Sequence, residues 1–162
     1  LREVPLYFSP EYPHTPPRAE YHPGAEWLSS NGRDPAMAKG VEFTNTRIFE
    51  AETRRMPNFA LHELAHAYHD RVLGFEEPRI KECYEKALAS GKYDNVGRKD
   101  SEGRISHKRA YAMTNHKEYF AECTEAYFSK NDFFPYTRQE LRQHDPEMEH
   151  LLEQLWQVPA QP

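Results

Sequence analysis

With 162 residues and 38% hydrophobic content, the chain is sized for one compact domain spanning 1–162. A formal net charge of −5 with no block of lysines or arginines argues against a nucleic-acid or anionic-membrane partner, which would need a basic footprint. No stretch reaches the roughly 18–20 apolar residues of a membrane span, and two cysteines, Cys83 and Cys123, allow one bridge at most. Ten tyrosines, nine phenylalanines and two tryptophans imply an aromatic-rich core. Because the chain begins at Leu1, it reads as a mature form, a trimmed chain or a domain of a longer protein.

Residues 1–35 carry Pro5, Pro10, Pro13, Pro16, Pro17, Pro23 and Pro35, so they are expected as extended segments and turns wrapped on the body. A short helix is expected at 35–38. Residues 41–45 alternate apolar and polar side chains and predict a strand. Over 57–73, Leu61, Leu64, Ala65, Tyr68 and Val72 form one apolar stripe at helical spacing, and Gly74 is placed to end it. A second helix is expected at 78–89, closed by Ser90 and Gly91. The polar segment 93–109 reads as a loop or a hairpin with its tip at Asp100-Ser101-Glu102-Gly103. A third helix at 117–129 presents Phe120, Cys123, Ala126 and Tyr127. Thr137 and Glu140 have capping-box spacing. A last helix starts with Asp145 as N-cap and Pro146 at its first position.

The chemistry concentrates in His62-Glu63-Leu64-Ala65-His66. Histidines four apart on a helix share a face, so each can give one nitrogen to a single ion. Glu63, about 100° further round, can take a proton from a water on that ion. A catalytic zinc commonly has three protein ligands and keeps one position open. In metzincins the third is a histidine downstream of a glycine; here those positions hold His69 and Val72, and the pattern fails. In gluzincins it is a glutamate on a later helix, followed four residues on by a second carboxylate. Glu118-Tyr119-Phe120-Ala121-Glu122 has that form. Glu118 would neutralise zinc charge directly, and Glu122 would accept a ring N–H of His62 or His66. The competing reading makes Glu118, Glu122 and Glu125 a solvated helix face.

The run from Tyr111 to Glu122, YAMTNHKEYFAE, resembles the second active-site segment of the anthrax-lethal-factor-like metallopeptidases, a group that includes bacterial Pro-Pro endopeptidases. The resemblance covers about 41–130 and is firmest over 61–70 and 111–128; the proline-rich start has no counterpart in it. It implies an α+β, mainly helical zincin-like catalytic domain of gluzincin type with a small sheet. It further implies that zinc is held by His62, His66 and Glu118, with Glu122 behind them, Glu63 as general base and the phenol of Tyr111 facing the metal. Tyr111 stands seven residues before Glu118, the spacing of the family's tyrosine, and Asn115 matches the family's asparagine. The implied activity is hydrolysis of a protein or peptide substrate by an exported enzyme; separately, no membrane insertion is expected, and of the open oligomeric states a monomer is favoured.

Two rival readings stand beside it. One is a non-catalytic zinc-containing recognition module of a larger toxin-like or surface protein. The other is a metal-free helical interaction domain. Val41 to Asn45 offers an edge for an extended substrate. His69 is expected in a solvent or structural role and Asp70 in a cap or salt bridge. His107 and His116 read as loop histidines, and Cys123 as a buried thiol.

Overall fold

The computed structural model describes residues 1–55 and 58–157. The chain divides into two compact units, Leu1–Gly74 and Phe75–Pro162. The architecture is α+β and mainly helical, with seven α-helices and two small sheets among the described residues. Among those residues no helix is long and apolar enough to cross a membrane.

The first unit holds strands β1 (Leu6–Phe8), β2 (Ala19–Tyr21) and β3 (Val41–Phe43), and helices α1 (Ala25–Ser30), α2 (Phe49–Arg55) and α3 (Phe59–Tyr68). The sheet order is β1-β3-β2, with β1 parallel and β2 antiparallel to β3. The expected strand at 41–45 is therefore the central one. Both its edges are paired, so it offers none to an extended substrate, contrary to expectation. The proline-rich start does supply the outer strands, but it also contains α1, which fits into the proline-free window between Pro23 and Pro35. The expected helix at 35–38 is a 3-10 turn, Pro35–Met37, capped by Asp34.

Alternation along β3 assigns Glu42 to solvent, yet Val41, Glu42 and Phe43 are all buried. Glu42 is fully enclosed because donors converge on it: Tyr12 Oη at 2.8 Å, His22 Nε2 at 2.9 Å and the Arg33 guanidinium. A buried charge is tolerated only with such partners. The other support of the sheet is aromatic. Phe43 packs against Phe8, Phe49 and Phe59 at 5.3–5.5 Å between ring centroids.

The helix expected over 57–73 is observed as α3 followed by a π-helical turn, His69–Leu73, ending at Gly74 with φ +82°. Pro57, at the start of the expected span, lies outside the described residues. The wider turn breaks the 3.6-residue stripe. Val72, expected in that stripe, is 62% exposed, while His69 is fully buried; this removes the solvent role expected of His69 as one option.

In the second unit, α4 (Pro78–Ser90) starts at a proline and stops at Gly91, whose φ is +66°. β4 (Val96–Lys99) and β5 (Ile105–Lys108) form an antiparallel hairpin. Its tip is organised by Asp100 Oδ1, which accepts from the amides of Glu102 and Arg104 at 2.9 Å. Then come α5 (His116–Phe128), α6 (Arg138–His144) and α7 (Pro146–Leu155). Helix α5 is buried from Tyr119 through Tyr127 without interruption, well beyond the single stripe expected. Asp145 precedes α7 as expected, but its carboxylate makes no cap. It accepts from Tyr119 Oη at 2.6 Å and Tyr93 Oη at 3.0 Å, and pairs with Lys92.

Candidate functional site

Helix α3 carries the first half of the motif. His62 and His66 bring their Nε2 atoms to 3.1 Å with ring planes at 80°. Two nitrogens each about 2.0–2.1 Å from a tetrahedral ion stand roughly 3.3 Å apart, so the pair suits one small divalent cation. Both rings and Glu63 are half-buried. The carboxylate of Glu63 is held in place: its Oε2 accepts the backbone N–H of Tyr21 in β2 at 2.6 Å. Asp70, in the π-helical turn, accepts from the Tyr21 phenol at 2.6 Å and pairs with Lys39 Nζ at 2.5 Å. Of the two roles expected for Asp70, the salt bridge is the one observed.

Helix α5 carries the second half. Asn115, extended at φ −167°, accepts from the amides of Lys117 and Glu118 at 2.9 and 3.0 Å. It is the N-cap that starts the helix, which gives a physical reason for an asparagine three residues before Glu118. Glu118 sits in the first turn, half-buried. Glu122, one turn on and on the same face, is 5% exposed, and Glu125 is 7% exposed. Two of the three acidic residues are thus withdrawn from water, against the solvated-face reading. Tyr111 opens a 3-10 turn, Tyr111–Thr114, with 48% of its surface exposed. His116 is the first helical residue rather than a loop residue, and its Nε2 lies 2.7 Å from the carbonyl of Phe75.

His62, Glu63 and His66 therefore come from one unit, and Tyr111, Glu118 and Glu122 from the other. The cysteines take no part. Both thiols are free, and burial pushes Cys83 up to about 11 and raises Cys123 as well, which disfavours the thiolate of each. What sequence reasoning missed is Tyr21. Its signal is faint, a three-residue strand of Ala, Glu and Tyr between Pro17 and Pro23.

No curated protein and no solved structure matches the chain. Residues 41–155 match the family described as anthrax toxin lethal factor, N- and C-terminal domain. The match starts at the first residue of β3, ends at the last of α7, and takes in both motif helices. Covering well over half of the sequence, it makes this chain a member of the anthrax toxin lethal factor N- and C-terminal domain family.

Proposed function

We propose that the chain is a zinc-dependent endopeptidase in which His62, His66 and Glu118 hold the metal. The observation that carries this reading is the His62–His66 pair, whose nitrogens stand 3.1 Å apart on α3 beside the fixed carboxylate of Glu63. Zinc bound there would supply a Lewis acid that makes a water nucleophilic near neutral pH. Glu63 takes the proton of the attacking water and passes it to the departing amine nitrogen. The hydroxyl of Tyr111 donates to the carbonyl oxygen of the scissile bond as charge develops on it. Its exposure suits a group that must reach a substrate. Glu122, largely shielded from water, accepts a ligand-histidine N–H and sets its tautomer. The substrate is a protein or peptide.

The test is digestion of a diverse peptide library by zinc-loaded protein, read by mass spectrometry, with Glu63→Ala alongside. Peptides cut only by the parent, at a rate lowered on the order of 10²- to 10⁴-fold in the variant while zinc stays at one per chain, would support the reading. An active Glu63→Ala variant would sink it. No cleavage by zinc-loaded parent would favour a recognition module instead.

A further inference from the structure

Tyr21 is tied to the motif helix and its π-helical extension at both ends. Its backbone N–H donates to Glu63 Oε2 and its phenol to Asp70 Oδ2, each at 2.6 Å. Glu63 and Asp70 are seven residues apart, about two helical turns, so one tyrosine bridges the whole stretch. Asp70 is gripped in turn by Lys39 Nζ, and the Lys39 amide donates to the carbonyl of His22 at 2.6 Å. The circuit closes on the residue next to Tyr21.

Sheet geometry makes the Glu63 contact informative. Residues 18, 20 and 22 of the β2 segment face β3, as the bonds from Thr44 N–H to the Arg18 carbonyl and from His22 N–H to the Gly40 carbonyl require. The Tyr21 N–H therefore points off the open side of the sheet, where an edge amide is ordinarily left to water. Glu63 takes it instead. One carboxylate oxygen of the general base is thereby committed to the main chain, which orients the group and assigns proton transfer to Oε1. The phenol stays a donor: burial first, then its hydrogen bond to Asp70 and the charge there, raise Tyr21 far above its ordinary range. Tyr21 is 8% exposed and the Asp70 side chain 14%.

We infer that Tyr21, Asp70 and Lys39 form a brace that positions the Glu63 carboxylate for proton transfer. This rests on the peptidase reading above. It makes the three positioning residues, acting through Glu63 rather than touching substrate. The brace lies in the part of the chain before residue 41, outside the family match, except for Asp70.

The test uses the zinc-loaded full chain. Tyr21→Phe deletes the phenol bond but keeps the amide. It should lower kcat roughly 10- to 100-fold, the scale of a slightly misplaced catalytic group, with KM and zinc content nearly unchanged. Asp70→Ala should do the same, and the double variant should lose little more than either, because the two act as one unit. A readout independent of activity is hydrogen exchange at the amide of position 21, which should quicken about ten-fold in Tyr21→Phe and in Glu63→Ala. Should Tyr21→Phe fail to fold, Asp70→Asn keeps an acceptor for the phenol without the charge that meets Lys39, and should give a smaller loss in both readouts. Unchanged kcat and unchanged exchange in a folded variant would overturn the brace. So would a loss shared equally by kcat, KM and zinc content, the mark of general destabilisation. Failure of the parent to cleave any peptide would count against the peptidase reading, while the exchange measurement would still decide whether the brace exists.

Discussion

The two motif helices are held by different forces. Helix α3 has ten residues, and of these only Ala65 and Ala67 are buried; it is held by the Tyr21 N–H on Glu63 and by Phe59, whose ring packs on Phe43 and Phe49. Helix α5 has thirteen residues, with nine consecutive ones buried, Phe120 among them, stacked on Trp156 at 5.9 Å. A helix enclosed on all sides is fixed by apolar packing, whereas one that buries only two alanines has less apolar contact to fix it and relies more on polar bonds. The base of the proposed reaction thus sits on the more adjustable element, and Glu118, the proposed carboxylate ligand, lies at the start of the more rigid one.

Truncating each helix should expose that difference most strongly. Phe120→Ala on α5 should cost about 4 kcal/mol of stability, the range for a fully buried aromatic. Leu61→Ala on α3, half-buried, should cost about 1–2 kcal/mol. Urea unfolding of both variants measures the gap. Equal losses would break the comparison and mean that α3 is packed as firmly as α5.

A second contrast lies within the first unit, between the polar support around Glu42 and the aromatic support around Phe43. Glu42→Gln keeps the shape of the side chain but removes the nearer counter-charge of the Arg33 guanidinium, leaving it the more distant Glu20 at 3.8 Å, at a cost of about 3 kcal/mol. Burial alone would raise the Glu42 carboxyl; bonds from Ser9, His22 and Tyr12 and the charge of Arg33 outweigh it and hold the group below its ordinary value. The sign follows. A carboxyl with a lowered folded pKa adds stability that is fully present above its unfolded value and is lost as pH falls through the folded one. Unfolding midpoints taken at neutral pH and near pH 3 should therefore fall more in the parent than in Glu42→Gln. A parallel decline in both would remove Glu42 from the account of acid sensitivity.

These contrasts also explain what the sequence made legible. Helix α4 was readable from Pro78 and Gly91, α7 from Pro146, and α5 from its apolar positions, because local rules fix those ends. The His62-Glu63-x-x-His66 spacing gave the nitrogen pair for the same reason: a helix determines where residues four apart must lie. The short pieces of the first unit escaped. Three-residue strands such as β1 and β2 contain too little sequence for a period of two to register. The burial of Glu42 could not be read locally because its partners, Tyr12, His22 and Arg33, lie 30, 20 and 9 residues away. The π-helical turn carries no composition signal of its own, so the exposure of Val72 was misjudged and the choice between a solvent and a structural role for His69 stayed open. Tyr21 was invisible as a neighbour of Glu63 for the same reason as Glu42's partners, since 42 residues separate the two.

The smallest effect tests how far the rigidity of α5 extends toward its start. Asn115 Oδ1 satisfies two amides of the first turn, and Asn115→Ala should cost about 1 kcal/mol of stability. Fraying would be confined to that turn, because the buried run begins only at Tyr119. Glu118 lies inside the frayed turn and Glu122 beyond it. If Glu118 is a metal ligand, Asn115→Ala should weaken zinc binding by several-fold, in step with the cost of the cap, although Asn115 itself need not touch the ion. Asn115→Asp or Asn115→Ser, which restore a cap, should recover most of that affinity. A titration against a competing chelator reads the change. Weaker stability with unaltered zinc affinity would mean that Glu118 is not among the ligands, and would leave the histidine pair of α3 to find its third donor elsewhere.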